Sequence, residues 1–222
     1  MLRRTSKKVK KVVEKLLLPA VVRLSRDFWN DCRNGTREDK LKFVLRQLAA
    51  MTACCRITTL ELPDCEMVGQ DAEILAGVLT QRPPLMHLDL SWNEIGQLGL
   101  GYLSGLLQCT ALTRLNLNYT RSAEGGAERL AAVLGQCPAL VHLDLRYNNF
   151  GAAGVKRLAG VLGQCAALAH LNLSNNDIRA AGAESLARVL GQCTALAHLN
   201  LSTLTRINAG VSIVGGPRST HS

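Results

Sequence analysis

Apolar and polar positions alternate within one short motif that returns at a nearly constant distance along the chain. The opening leucines of this motif, LxxLxL, are Leu85, Leu112, Leu140, Leu168 and Leu196. Successive copies are separated by 27, 28, 28 and 28 residues, and a weaker copy, ITTLEL, opens at Ile57. Leucine at every second position, as in HLDL and HLNL, is strand spacing. The pattern therefore predicts one short strand in each unit.

A second apolar spacing follows each strand motif. Leu158, Val161 and Leu162 lie three and four positions apart, and the same spacing recurs one period later. This is the spacing of one face of a helix. A helix of about ten residues is unstable alone in water, so each strand–helix unit must be buried against its neighbours. The periodicity predicts an array of stacked units.

The complete unit, LxHLxLxxNxI followed by a glycine and LxxVLGQC, resembles the ribonuclease-inhibitor-like class of leucine-rich repeats. That class includes the repeat domains of NOD-like receptors, the ribonuclease inhibitor and the Ran GTPase-activating protein. The resemblance covers residues 57–203 and implies an α/β leucine-rich-repeat solenoid, a curved horseshoe arc with parallel strands on the concave face and helices on the convex face. It also implies a structural asparagine column, that is, one position of the unit that is asparagine in several copies: Asn93, Asn148 and Asn176. Thr120 occupies this position in one unit and departs from the pattern.

The polar positions of the strands are expected on the concave face. Parallel strands stack about 4.8 Å apart, whereas packed helices need about 8–10 Å, so the array curves with its strands inside. The candidate partner-binding residues are these polar positions and the aromatic residues beside them: His87, Asp89, Trp92, Arg114, Asn116, Tyr119, His142, Asp144, Arg146, Tyr147, His170, Asn172, His198 and Asn200. A further column, which includes Ser91, Asn118 and Ser174, is predicted to line the same surface.

Three aromatic residues, Trp92, Tyr119 and Tyr147, occupy the same place in consecutive units. Aromatic and arginine side chains are typical anchors of protein interfaces, so this surface is predicted to bind a protein partner. The alternative interpretation is that these are solvated positions, which the fold must fill with some side chain. The sequence leaves both interpretations open.

Three histidines, His142, His170 and His198, share one column on adjacent strands, with Asp144 nearby. Imidazoles about 4.8 Å apart could share a zinc ion. The spaced cysteine pairs and the HExxH motif that usually signal zinc do not occur, and a copied repeat copies its histidine, so no metal is predicted. A pH-sensitive surface is the better hypothesis, because adjacent imidazoles disfavour each other's protonation.

Five of the eight cysteines share one column, three residues before the opening residue of a unit: Cys54, Cys109, Cys137, Cys165 and Cys193. Such a position favours a small buried side chain, and a column of equivalent residues offers no obvious disulfide pairing. No secretory signal is visible. Reduced cysteines fit a cytoplasmic or a nuclear localisation.

The sequence changes character outside the repeats. Residues 1–35 are predicted to form a basic tail with an amphipathic helix, and residues 1–15 alone hold seven Lys or Arg and one Glu, in a chain of net charge +9. Such a segment could contact an anionic membrane or nucleic acid weakly. It could also be a targeting peptide, although it is richer in lysine than is usual, or a solvated tail with a helix packed on the array. Residues 36–56 are predicted to form an N-terminal capping helix, with the helix itself at about 37–52. Residues 204–222 are predicted to be an irregular C-terminal tail.

Sequence motifs of catalysis are missing: there is no nucleophile elbow, phosphate-binding loop or metal motif. No enzyme activity, cofactor or small-molecule substrate is therefore predicted. The predicted function is a non-catalytic protein–protein interaction module that binds its partner through the concave face. The resemblance implies a regulatory or innate-immune sensing role of the NOD-like-receptor type. Two alternatives use the same fold: activation of a Ran-type small GTPase, which rests on fold analogy alone, and enzyme inhibition, which the positive charge disfavours for a basic target.

Overall fold

The computed structural model describes residues 19–24, 37–52, 56–79, 85–107, 111–202 and 212–214. Strands and helices alternate along this part of the chain. The strands are β1 (Pro19–Arg23), β2 (Arg56–Glu61), β3 (His87–Asp89), β4 (Arg114–Asn116), β5 (His142–Asp144), β6 (His170–Asn172), β7 (His198–Asn200) and β8 (Ser212–Val214). The helices are α1 (Arg37–Thr52), α2 (Gly69–Leu79), α3 (Gly96–Leu107), α4 (Ala123–Leu134), α5 (Gly151–Leu162) and α6 (Arg179–Leu190).

The strands of the described residues form one sheet in chain order, from β1 to β8. Neighbouring strands are parallel from β1 to β7, and β8 pairs with β7 in the antiparallel direction. The repeat sets the register, because each strand pairs with the equivalent residues of the next unit. His142, for example, lies opposite Arg114 on one side and His170 on the other. Parallel strands that alternate with helices confirm the predicted α/β solenoid.

The hydrophobic core lies between the sheet and the helices and runs through every unit. In the unit that opens at Leu140, the side chains of Leu143 and Leu145 are buried with Leu158 and Leu162 of α5. Each helix packs against the next one in the series from α1 to α6. Burying a leucine side chain stabilises a protein by roughly 1.5–3 kcal/mol. Since a short helix gains this only from its neighbours, the units stabilise one another.

A ladder of buried asparagines joins successive units at the strand ends. Asn148 is 1% exposed; its Nδ2 donates to the Leu117 carbonyl at 2.7 Å, and its Oδ1 accepts from the Thr120 N–H at 3.0 Å. Asn93 and Asn176 make equivalent hydrogen bonds. Thr120, which stands in the asparagine column, donates through Oγ1 to the Leu117 carbonyl at 3.1 Å. The column thus satisfies buried backbone groups of the turn that leads from each strand to its helix.

The helix predicted at about 37–52 is present as α1. It carries an apolar stripe of four residues, and Leu41, Val44, Leu45 and Leu48 are all buried. Because α1 packs against α2, the stripe joins the core of the array instead of facing water. This helix therefore covers the first repeat, as solenoid ends require.

Two strands lie in segments whose sequence predicted no strand. β1 falls within residues 1–35, predicted as a tail and helix, and it pairs with β2. β8 falls within residues 204–222, predicted as irregular, and it pairs with β7. The end strands of an array expose unpaired N–H and C=O groups, which an adjacent extended segment satisfies. The basic residues 1–15 lie outside the described residues, as does the rest of the predicted tail and amphipathic helix apart from residues 19–24.

Candidate functional site

The strands present an open groove on the face opposite the helices. The groove has a volume of about 730 Å³, and residues of β3 to β7 line it. It brings together nine of the fourteen residues predicted to bind a partner: His87, Arg114, Asn116, His142, Asp144, His170, Asn172, His198 and Asn200. The other five, Asp89, Trp92, Tyr119, Arg146 and Tyr147, are not part of its lining.

A row of stacked histidine rings runs across the groove. The rings of His142 and His170 have centroids 4.3 Å apart and planes 12° apart, and those of His170 and His198 are 4.5 Å and 10° apart. The lone pairs of the ring nitrogens lie in the ring planes, so stacking directs them side by side and not toward one metal position. In the part of the chain that the structure describes, no group of three His, Cys, Asp or Glu is placed to hold a metal ion.

The surroundings of His142 oppose the protonation of its ring. Burial lowers the pKa of His142 below its ordinary value of 6.5, and the positive charges of His170, Arg114 and His87 lower it further. His87 itself differs from the other histidines, since its Nδ1 lies 3.5 Å from Glu61 Oε1. Imidazoles that hinder each other's protonation are the physical basis of the pH sensitivity hypothesised from the sequence.

The carboxylates beside the histidines are held by neighbouring groups. Asp144 Oδ2 lies 3.0 Å from Arg146 Nη2, and the Arg146 backbone N–H donates to Asp144 Oδ1 at 3.2 Å. Burial raises the pKa of Asp144, and its bonds to Arg146 oppose that rise. Asp89 accepts hydrogen bonds from Ser91 Oγ at 2.6 Å and from Asn116 Nδ2 at 2.9 Å. Much of the negative charge of this face is therefore engaged within the protein.

Trp92, Tyr119 and Tyr147 form an aromatic row just beyond the carboxyl ends of the strands. The rings of Trp92 and Tyr119 stack with centroids 4.6 Å apart, and those of Tyr119 and Tyr147 lie tilted at 6.2 Å. Trp92 is 54% exposed and Tyr119 is 37% exposed. Two hollows of about 410 and 280 Å³ adjoin the row. The rings therefore stand beside recessed surface that a partner can fill.

The backbone of the aromatic row is left-handed, a conformation that was not predicted from the sequence. The φ angles of Trp92, Tyr119 and Tyr147 are 58°, 55° and 57°. Asp64 and Asn175 occupy the same column in other units, with φ of 54° and 56°. Aspartate and asparagine are the side-chain-bearing residues that adopt this conformation most readily. Their presence in the column is the signal from which the positive φ could have been found.

The prediction that a further column lines the concave face is wrong for Ser91, Asn118 and Ser174, although Ser202 of the same column lines the groove. Ser91, Asn118 and Ser174 are buried, with exposures of 5, 5 and 3%. Arg146, in the same column, has a side chain that is 42% exposed. Strands β3 to β7 are only three residues long, so the alternation between faces ends before this column. The small polar side chains fall within the buried turn that follows.

Comparison with known proteins agrees with the repeat seen in the structure. A family model described as Leucine Rich repeat matches residues 83–104, 136–159 and 164–187. This is a leucine-rich-repeat protein. Its leucine-rich repeats are of the ribonuclease-inhibitor-like class, and they are 38% identical over 94 residues to the ribonuclease inhibitor of Sus scrofa. That match covers 41% of this chain and 20% of the inhibitor, so the chain spans about one fifth of the length of this relative.

Among solved structures, the leucine-rich-repeat chain is similar to leiomodin-1 actin-binding site 2. The TM-score is 0.47 and the sequence identity is 14%, over 73% of this chain and 78% of the other. Within the described residues, no helix combines the length and the apolar character needed to cross a membrane.

The cysteines of the leucine-rich repeats lie where the helices end. Cys137 and Cys165 are buried and Cys193 is half-buried, while Cys54 and Cys109 of the predicted column lie outside the described residues. Burial raises the pKa of Cys165 to about 11, with a smaller contribution from Cys193. A thiol with a raised pKa carries little of the nucleophilic thiolate near neutral pH. These thiols therefore have the character of packing residues.

Proposed function

We propose that this protein is a non-catalytic protein-binding module whose partner lies along the concave face and is anchored by the aromatic row. The leucine-rich repeats and their similarity to the ribonuclease inhibitor support a protein as the partner. The observation that carries the proposal is the aromatic row itself. It combines exposed rings with a backbone conformation that aromatic residues do not favour.

The backbone of the aromatic row argues for a function beyond folding. A left-handed conformation costs roughly 1–2 kcal/mol for most residues that carry a Cβ, and less for Asn or Asp, whose short side chains bond locally. The unit that contains Asn175 shows that asparagine fits this column. Trp92, Tyr119 and Tyr147 therefore lower stability relative to asparagine while Trp92 and Tyr119 leave much of their rings exposed. Strained residues of this kind cluster at functional sites.

The aromatic row is also well placed to anchor a partner that occupies the groove. Each of its residues follows the last residue of β3, β4 or β5 by three positions, so the row runs along one edge of the sheet. The two adjoining hollows make that edge uneven. Large aromatic side chains at such places supply much of the binding energy in protein interfaces.

The test replaces the aromatic row with a residue that the column already accepts. The triple variant Trp92→Asn, Tyr119→Asn and Tyr147→Asn should fold and become more stable by about 1 kcal/mol or more. A benzoylphenylalanine crosslinker at position 119 would identify the partner in a cell lysate. The same crosslinker at Tyr102, which is 43% exposed on α3, is the matched control on the helical face.

A partner that crosslinks at position 119 and not at 102 should bind the triple variant about tenfold more weakly or worse. Equal crosslinking from both positions, or unchanged affinity in the folded variant, would place binding elsewhere. The partner's identity then separates the regulatory sensing role implied by the NOD-like-receptor resemblance from GTPase activation and enzyme inhibition. If the protein leaves the hydrolysis rate of GTP-loaded small GTPases unchanged, GTPase activation is excluded.

We also propose that the protein works in the cytoplasm or nucleus. The supporting observation is that Cys165 and Cys193 carry thiols and are not joined in a disulfide, which fits a reducing compartment. Imaging of the tagged chain in cells tests this, and accumulation in a secretory compartment would contradict it.

A further inference from the structure

Arg114 and Asp144 are the charged side chains that line the groove, and of these two Asp144 is ion-paired. Asp144 lies 3.0 Å from Arg146, and Glu61 Oε2, at the β2 side of the groove, lies 2.8 Å from Arg23 Nε. Arg114 is exposed and, among the residues that the structure describes, has no ion-pair partner. The fixed positive charge of Arg114 therefore faces the groove, while the Asp89 carboxylate, which is hydrogen-bonded to Ser91 and Asn116, does not line it.

The amides of Asn172 and Asn200 add hydrogen-bond donors to the groove. In each of them the Oδ1 accepts the backbone N–H two residues later, from Ser174 at 3.1 Å and from Ser202 at 3.0 Å. With the oxygen engaged in this way, the NH₂ group is what the amide can offer to a ligand. Both asparagines line the groove, and within the described ranges neither Nδ2 donates to a protein acceptor.

The histidine row lies beside these amides on the same strands. Its near-parallel stacking leaves the ring edges, which carry the nitrogens, as the groups that can meet a ligand. A neutral imidazole has one N–H donor and an imidazolium has two, so acidification adds both charge and donors. Arg114 on β4 continues the row, because it lies opposite His142 in the register of β4 and β5. Apart from Asp144, which is paired with Arg146, these side chains present donors and potential positive charge to the groove.

We infer that the groove binds an acidic segment of the protein partner, through Arg114, the histidine row and the amides of Asn172 and Asn200. This inference rests on the proposed function and names the chemistry of the segment that enters the groove. Carboxylates accept charge-assisted hydrogen bonds from guanidinium and imidazolium groups, which are about twice as strong as neutral hydrogen bonds. A basic segment would instead meet Arg114 and would have to displace Asp144 from Arg146.

Binding of the acidic segment should tighten as the pH falls. The charged and titratable groups on the strands beside the histidine row are His87 and Asp89 on β3, Arg114 on β4, and Asp144 of β5 with its partner Arg146. An anion beside the row would raise the pKa of its histidines above their values in the free protein. Affinity then increases as the pH falls through the higher bound-state pKa, by about tenfold for each histidine whose pKa rises by one unit.

The test uses an oligoglutamate peptide as probe and oligoglutamine as the neutral control, with the full chain. Calorimetry at about pH 5.5 and about pH 7.5, at constant ionic strength, should give at least about tenfold tighter binding at the lower pH. The ring-proton signals of His142, His170 and His198 should shift on addition of oligoglutamate. Combining His170→Gln with His198→Gln should remove most of the pH dependence, and Arg114→Gln should weaken binding at both pH values.

The basic N-terminal segment needs its own control, because it also attracts acidic peptides. A variant with glutamine at Lys7, Lys8, Lys10 and Lys11 should keep the pH dependence, since lysine does not titrate in this range. Loss of binding in this variant, or histidine signals that do not respond to oligoglutamate, would overturn the inference. Arg114→Gln changes an exposed side chain, so it stays informative even if the histidine variant fails to fold.

Two further comparisons show whether the groove prefers a protein segment to a nucleic acid, and whether a negative result affects this inference or the proposed function. An oligonucleotide of similar charge that shifts the histidine signals at lower concentration than the peptide would overturn the choice of a protein segment. The peptide experiment does not depend on the aromatic row. Failure of oligoglutamate binding together with specific crosslinking at position 119 would therefore remove this inference and leave the proposed function standing.

Discussion

Replacement of Asn148 with alanine should destabilise the protein strongly, because this one amide bridges two units of the array. Its Nδ2 donates to the carbonyls of Leu117 at 2.7 Å and Leu145 at 3.1 Å. Its Oδ1 accepts from the N–H groups of Thr120 at 3.0 Å and Ser122 at 3.3 Å. Alanine removes all of these bonds from a turn in which Asn148, Thr120 and Ser122 are almost completely buried.

The size of the effect follows from which backbone groups lose their partner. The Leu117 carbonyl keeps the hydrogen bond from Thr120 Oγ1, and the Leu145 carbonyl keeps the bond from Asn176 Nδ2 at 2.8 Å. The N–H groups of Thr120 and Ser122 are left without the acceptor that Asn148 supplied. An unsatisfied buried donor costs about 1–3 kcal/mol, so two of them should lower the free energy of unfolding by about 4 kcal/mol.

Urea unfolding, followed by circular dichroism and by tryptophan fluorescence, measures this change. Coincident transitions from the two probes would show that unfolding is all-or-none. The matched control is Asn149→Gly, because Asn149 is exposed and has a φ of 54° that glycine adopts without strain. The control should change stability by less than about 1 kcal/mol. If Asn148→Ala lowers the free energy of unfolding by no more than the control does, the reasoning is refuted. That result would mean that water or a relaxed turn satisfies the two N–H groups.

Three further predictions address the helices and the histidines. Gly154→Ala should destabilise α5 by about 1–3 kcal/mol, because the new methyl group would lie 2.9 Å from the Ala127 Cβ. Gly160→Ala in the same helix should stabilise it by about 0.5–1 kcal/mol, since nothing lies within 4 Å of the added Cβ; thermal unfolding of both variants tests the opposite signs. His170→Gln should raise the pKa of His142 toward 6.5, because a positively charged neighbour is removed, and an NMR titration of the ring protons measures this. Since its folded-state pKa is depressed, protonation of His142 favours the unfolded chain, so stability should fall as the pH drops below 6.5. Urea unfolding across this range should show a smaller fall in His170→Gln.

The repeat in the sequence was sufficient to predict which residues are neighbours across the sheet. Each unit adds one strand and one helix to a stack, so equivalent positions of successive units must lie side by side. This is why the sequence alone assigns His142 and His170 to one column, and why nine of the fourteen candidate residues share the groove. The asparagine column and the helix α1 were predictable on the same grounds, from a repeated position and an apolar stripe.

Only the tertiary structure decided how those neighbours are oriented. The stacking of the histidine rings, the ion pair between Asp144 and Arg146, and the Asn172 amide with its oxygen turned toward Ser174 all depend on side-chain rotamers. The strands β1 and β8 depend on the unsatisfied edges that the array presents, and not on any periodic pattern of their own. A period specifies positions along one dimension, whereas rotamers, turn conformations and edge pairing follow from contacts in three dimensions. The sequence therefore determined the scaffold and its columns, and the folded array determined the chemistry that the columns present.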